Sequence, residues 1–207
     1  MAARLTRVRA VLAGALVLGV GAAVTVAAWT SQDFAAGTFA ASTFVTQSTA
    51  DASGATWQDD STPPGAALNL NAGSLSPGVV VAAPFGIETT AGSVGGTVAL
   101  QSPTSTTSPL PALWSALQYR VYSSSTSACT ATSTPASSSD WVVGSATTYA
   151  LLSTAVAANS TALGAASSSA AGAPTWFCFQ VTLPSGASNA LQGQSLVVTW
   201  QFVGTSS

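Results

Sequence analysis

The chain has 207 residues, of which only 5% are charged against about 25% in ordinary soluble domains, and it contains no lysine and no histidine. Three of its four bases, Arg4, Arg7 and Arg9, stand at the start, so residues 28–207 keep Arg120 alone against six acids, a net charge of −5. A chain so poor in bases cannot grip phosphates, which excludes nucleic-acid partners, and without histidine neither a Ser-His-Asp triad nor an HExxH zinc site can be built.

The three arginines lead into an uncharged run over residues 11–28, built of Ala, Val, Leu and Gly with one Thr, whose most apolar part is residues 11–20. A basic head, a short apolar middle and small residues at the end form an export signal. Residues 1–27 are therefore expected to be a signal peptide with its cleavage region at Ala27 and Ala28. The remaining about 180 residues are enough for a single domain with a sizeable core. No second apolar segment is long enough to span a bilayer, so no membrane contact is expected after processing.

Phe34, Phe39 and Phe44 recur every five residues among Ala, Gly, Ser and Thr, as in an extended segment with a turn or bulge at Gly37. Residues 28–45 are thus either the first strand of the core or a donor strand that leaves its own domain and completes a neighbour. Residues 47–66 are polar and close on Pro63, Pro64 and Gly65. The acidic pair Asp59 and Asp60 within them reads as part of a solvated loop, since calcium wants several oxygens at spaced positions. Trp29 and Trp57 read as packing groups rather than ligand-stacking ones.

Residues 67–70 alternate as a short strand, and Leu75-Ser76-Pro77-Gly78 is a turn signature. Residues 79–83 and 85–89 are strand-like on either side of Pro84, which points to an edge or bulge. Residues 94–101 form a further strand. Leu117, Tyr119 and Val121 alternate with Gln118, Arg120 and Tyr122, the pattern of a half-buried strand. Residues 123–140 form a Ser/Thr-rich loop, and residues 141–144 a brief strand. The Ala-rich residues 147–158 are expected to make one or two helical turns. Asn159-Ser160-Thr161 matches a glycosylation acceptor, a pattern that arises readily by chance in so Ser/Thr-rich a chain.

Two strong strands close the chain. Phe177, Phe179, Val181 and Leu183 share one face, and Val198, Trp200 and Phe202 share another; residues 184–194 between them have the residues of a hairpin-type loop. Cys178 falls on the face opposite Phe177, where a loop carrying Cys129 could reach it. An even pair of cysteines in an oxidising compartment forms a disulfide. Short strands with polar turns and no long amphipathic helix give an all-β chain, an antiparallel β-sandwich. The acids Asp59, Asp60, Glu88 and Asp140 are not grouped by the sequence, so no enzyme, metal or cofactor is expected.

The block from Thr25-Val26-Ala27-Ala28-Trp29 through Phe34-Ala35-Ala36-Gly37-Thr38-Phe39 resembles the signal and junction of the TasA/camelysin family. Leu75-Ser76-Pro77-Gly78 is similar to that family's Leu-x-Pro-Gly turn, and Leu191-Gln192-Gly193-Gln194 to its Gln-Gly turn. The resemblance implies a SipW-dependent signal cut by a dedicated signal peptidase, a jelly-roll-type sandwich, and a surface or biofilm-matrix fibre of a Gram-positive bacterium. It implies copies of the chain or a related subunit as partners, with Phe34, Phe39 and Phe44 as donor-strand plugs. The metalloprotease activity described for some camelysin-like members does not carry over to a chain without histidine, and the family's lysine-rich character is missing. The alternative is a monomeric cell-surface binding or adhesion module.

Overall fold

A computed structural model describes residues 9, 11, 12, 41–70, 73, 75–156 and 159–207. Residues 1–40 and 41–207 form separate units; of the first only residues 9, 11 and 12 are described, and they are helical. The second unit is built mostly of β-structure. Its strands are β1 (Thr46–Thr49), β2 (Val80–Thr89), β3 (Gly96–Leu100), β4 (Gln118–Ser124), β5 (Trp141–Val143), β6 (Ala150–Leu151), β7 (Ser160–Leu163), β8 (Thr175–Thr182) and β9 (Phe202–Ser206). They form two antiparallel sheets. The larger runs β1-β2-β8-β4-β5, with β6 also paired to β4, and the smaller runs β7-β3-β9.

Alternation along the strands makes the core. Val81, Ala83, Ile87, Tyr119, Val121, Phe177, Phe179 and Val181 come from the larger sheet, Val98, Leu100 and Leu163 from the smaller, and all are buried. Phe202 joins the two layers, stacked on Phe85 at 5.3 Å between ring centroids and tilted against Phe177 at 4.6 Å. Trp200 meets Phe179 at 5.1 Å and Tyr119 at 5.9 Å. Val198, Trp200 and Phe202 therefore share the inward face that the alternation predicts.

Several local expectations are corrected. Residues 67–70 form no strand, although Leu68 and Leu70 pack against the core. Residues 147–156 and 159 are not helical; they carry β6, turns and the approach to β7. Without a periodic apolar face, the alanines had nothing to hold a helix together. Residues 184–194 are not a hairpin, because β8 and β9 lie in different sheets. β4 is not half-buried: Tyr119, Arg120, Val121 and Tyr122 are all buried, because loops cover its outer side as well.

Pro84 lies inside the continuous strand β2, opposite Cys178. Thr90 N–H donates to Val45 O, which marks the even-numbered residues of β2 as those that face β1. β1 reaches only from Gly86 to Thr89, so the Pro84 nitrogen points where no strand runs. Proline is tolerated there because β2 is locally an edge.

Candidate functional site

The outer face of the larger sheet, which ordinarily meets solvent, is covered. Cys129 is disulfide-bonded to Cys178 on β8, with the Cα atoms 5.3 Å apart, and this pins the 123–140 loop over the sheet. Gln180, two residues along the same face, is fully buried. Its Nε2 donates to the carbonyls of Thr130 (2.6 Å) and Ser133 (2.8 Å) in that loop. Its Oε1 accepts from Nε of Arg120 (2.6 Å). Nη1 of Arg120 donates to the carbonyls of Ala146 (2.6 Å) and Ser145 (3.2 Å).

The Arg120 guanidinium carbon stands 4.4 Å from the Tyr149 ring centroid and 5.1 Å from that of Trp141. None of its hydrogen-bond partners is a carboxylate. Carbonyl dipoles and ring quadrupoles hold the buried cation instead. At the other end of β8, Trp176 packs on Trp57 with centroids 5.7 Å apart, and Trp57 Nε1 donates to Gly54 O (3.0 Å). Trp57 is thus a packing group. The cover braces the outer face of the sheet.

Each of three acids is engaged by its own partner. Asp60 accepts from the Ser48 hydroxyl (2.6 Å), Glu88 from Gln47, and Asp140 Oδ2 from the Ser137 backbone (3.0 Å). Asp51 and Asp59 are held below the usual carboxylate range, chiefly by the side chains of Ser53 and Ser61. Among the described residues no three His, Cys, Asp or Glu side chains come together as metal ligands, and no helix is long and apolar enough to cross a membrane. In the core, the Tyr119 hydroxyl and Trp200 Nε1 are buried without a hydrogen-bond partner, and burial raises the Tyr119 phenol above its ordinary value.

Ala27, Ala28, Trp29, Phe34 and Phe39 lie outside the described residues. Phe44, the last of the phenylalanine series, is half-buried and packs against the core. Its neighbours are tied to a turn of the same domain: Val94 N–H donates to Thr43 O (2.9 Å) and Thr90 N–H to Val45 O (2.9 Å). The ring lies on bare backbone. A Cβ on Gly96 would stand 2.8 Å from Phe44 Cε2, and one on Gly204 would stand 2.8 Å from Cε1. Two strands of the smaller sheet thus leave a notch that only glycine on both sides can provide. Sequence reasoning missed Gly96 and Gly204, because the register that brings them near one ring, with Gly96 opposite Ser206 and Gly204 opposite Val98, is a long-range fact.

A wide groove of about 800 Å³ lies along β7. Thr161 and Ala162 of β7 form one wall, Pro174 and Thr175 lead into β8, and Ser124 and Asp140 border the other side. Asp140 is its one charged lining residue. Comparison with protein-family models, with curated proteins and with solved structures finds no match to this chain.

Proposed function

We propose that the protein is a secreted structural subunit of a cell-surface or biofilm-matrix fibre, exported by a cleaved signal and assembled by β-strand donation. In this proposal the sandwich is of the jelly-roll type and the partner is another copy or a related subunit. The single observation that carries it is the Phe44 notch. The segment next to the phenylalanine series uses main-chain pairing plus an aromatic plug seated on glycine backbone. Those are the two elements by which an extended segment binds a sheet. The braced outer face and the Cys129–Cys178 bond are in keeping with an oxidising exterior.

The exported protein is expected to form filaments in negative-stain microscopy, and deletion of residues 28–40 to leave monomers. Equal assembly by the deleted chain would exclude strand donation. A monomeric surface-binding module is the second reading, and the hydroxyl-bearing groove beside β7 favours it. That reading predicts a monomer at high concentration and retention on a glycan array.

A further inference from the structure

We propose that the wide groove beside β7 is a binding site for a neutral polysaccharide, gripped by hydroxyls that both sheets turn inward at that end of the sandwich. The proposal rests on the surface-binding reading above and names its ligand class and its contacts.

The inward face changes character there. Paired residues of an antiparallel ladder share one face, and along a strand every second residue returns to it. Ser123 pairs with Phe177, so it continues the core-facing series of Tyr119 and Val121. Thr175 lies two residues before Phe177 and shares its face. Thr161 pairs with Val98 of the core, in the same series as Leu163. At each of these positions a hydroxyl stands where the apolar series would run on. All three are half-buried, and all three line the groove. A hydroxyl on the core side of a strand calls for hydrogen-bonding company that an apolar core does not supply.

Those groups keep capacity for a ligand. The Ser123 hydroxyl donates to Asp140 O (3.3 Å) and that of Thr175 to Ala162 O (3.1 Å), which leaves both oxygens to accept. Among the described residues Asp140 engages one carboxylate oxygen, Oδ2, with Ser137 N–H, and its other oxygen is left for a charge-assisted hydrogen bond.

The walls are fixed before a ligand arrives. The 123–140 loop is held by the Cys129–Cys178 bond and by the two hydrogen bonds from Gln180. Thr161 lies in the β3–β7 ladder, and Asp140 closes a capping box with Ser137. Polar groups held in this way lose little freedom on binding. The brace on the outer face thereby serves the groove that it borders.

Charge and polarity choose the ligand class. The lining holds one carboxylate and no cation, so nothing pairs with a polyanion, and one acid is too few for a hard metal ion. Under a lipid chain the hydroxyls would lose their water and gain no partner. A neutral sugar chain offers donors and acceptors along its length, and its C–H faces suit the alanine and proline surface between the hydroxyls.

Equilibrium binding of the exported protein to immobilised dextran, galactomannan and laminarin, with alginate as the anionic control, tests this. At least one neutral polymer should retain the protein, alginate should not, and added salt should leave the retention unchanged. Bound polymer should slow amide exchange in residues 123–126, 133–136 and 160–162. Thr161→Val, which removes only the hydroxyl, and Asp140→Asn, which keeps an acceptor for Ser137, should each weaken binding about threefold to tenfold. Thr205→Val on β9, outside the groove, should not. Circular dichroism melting checks that the variants fold, and the wild-type exchange pattern stands without them. Retention with the groove exchanging as in the free protein, or indifferent to both groove variants, overturns the site and keeps the surface-binding reading. Retention by alginate alone, or retention that salt abolishes, overturns the ligand class. Retention by none of the four polymers overturns the proposal, and the glycan array then decides the surface-binding reading by itself.

Discussion

Arg120 and Gln180 sit directly opposite one another on β4 and β8, and the guanidinium reaches the amide at 2.6 Å. Through that contact a buried cation is tied to the 145–146 carbonyls on one side and to the 130–133 loop on the other. The pair is the centre of the covered face, and it is more demanding than a surface hydrogen bond. Losing Gln180 removes the acceptor for one buried donor and the donors for two carbonyls.

Gln180→Leu should therefore destabilise the protein by about 2–4 kcal/mol. Arg120→Lys should not rescue Arg120→Met, because an ammonium lacks the planar fork that stacks on Tyr149 while reaching both carbonyls. Urea unfolding of the three variants measures this; equal stability of Arg120→Lys and the wild type would refute the geometric role.

Phe44 and Gly204 make a second pair open to testing. Gly204→Ala pushes a methyl group against the ring. The expected result is faster amide exchange in residues 43–49 with the β8 core unchanged. Phe44→Ala should cost about 2–3 kcal/mol, less than for a fully buried phenylalanine.

Reduction of the Cys129–Cys178 bond, which spans a separation of 49 residues, should lower stability by about 3–4 kcal/mol in the chain-entropy picture. For a domain of this size that corresponds to a fall in Tm of roughly 6–15 °C, readable by calorimetry with and without a reductant.

Tyr119 gives the alkaline limit. Burial raises its phenol above the ordinary 10.0, so ionisation is easier in the unfolded chain than in the folded one. The folded state keeps its full margin below about pH 10 and loses stability as pH rises beyond that value. Tyr119→Phe should flatten this alkaline slope. It should also leave stability at pH 7 unchanged or slightly higher, because it removes a buried hydroxyl that has no partner. A stability-versus-pH series on both proteins checks the sign.

Much of the fold could be read from alternation. Phe177, Phe179 and Val181 against Cys178 predicted both the inner face of β8 and the side from which Cys129 arrives. Pro84 announced an edge, which exists over part of β2 only because β1 is short. What stayed hidden was long-range. Nothing local says that residues 184–194 change sheets, or that Arg120 and Tyr122 are buried on the outer side of β4. The alanines of residues 147–156 suggested helix by propensity alone, and the pull of β4 on Ala150 and Leu151 outweighed it. Of the phenylalanine series, Phe44 could be read as a core aromatic of its own domain, but its glycine seat could not, since a missing side chain leaves no periodic trace.

The cystine also governs how the molecule breaks. Any peptide bond cut between residues 129 and 178 leaves two fragments still joined through sulfur, and within that span the largely exposed residues 164–171 are open to such a cut. A nicked molecule would run as intact on a non-reducing gel and fall into two pieces only when a thiol is added. Proteolytic damage would then accumulate without shedding material.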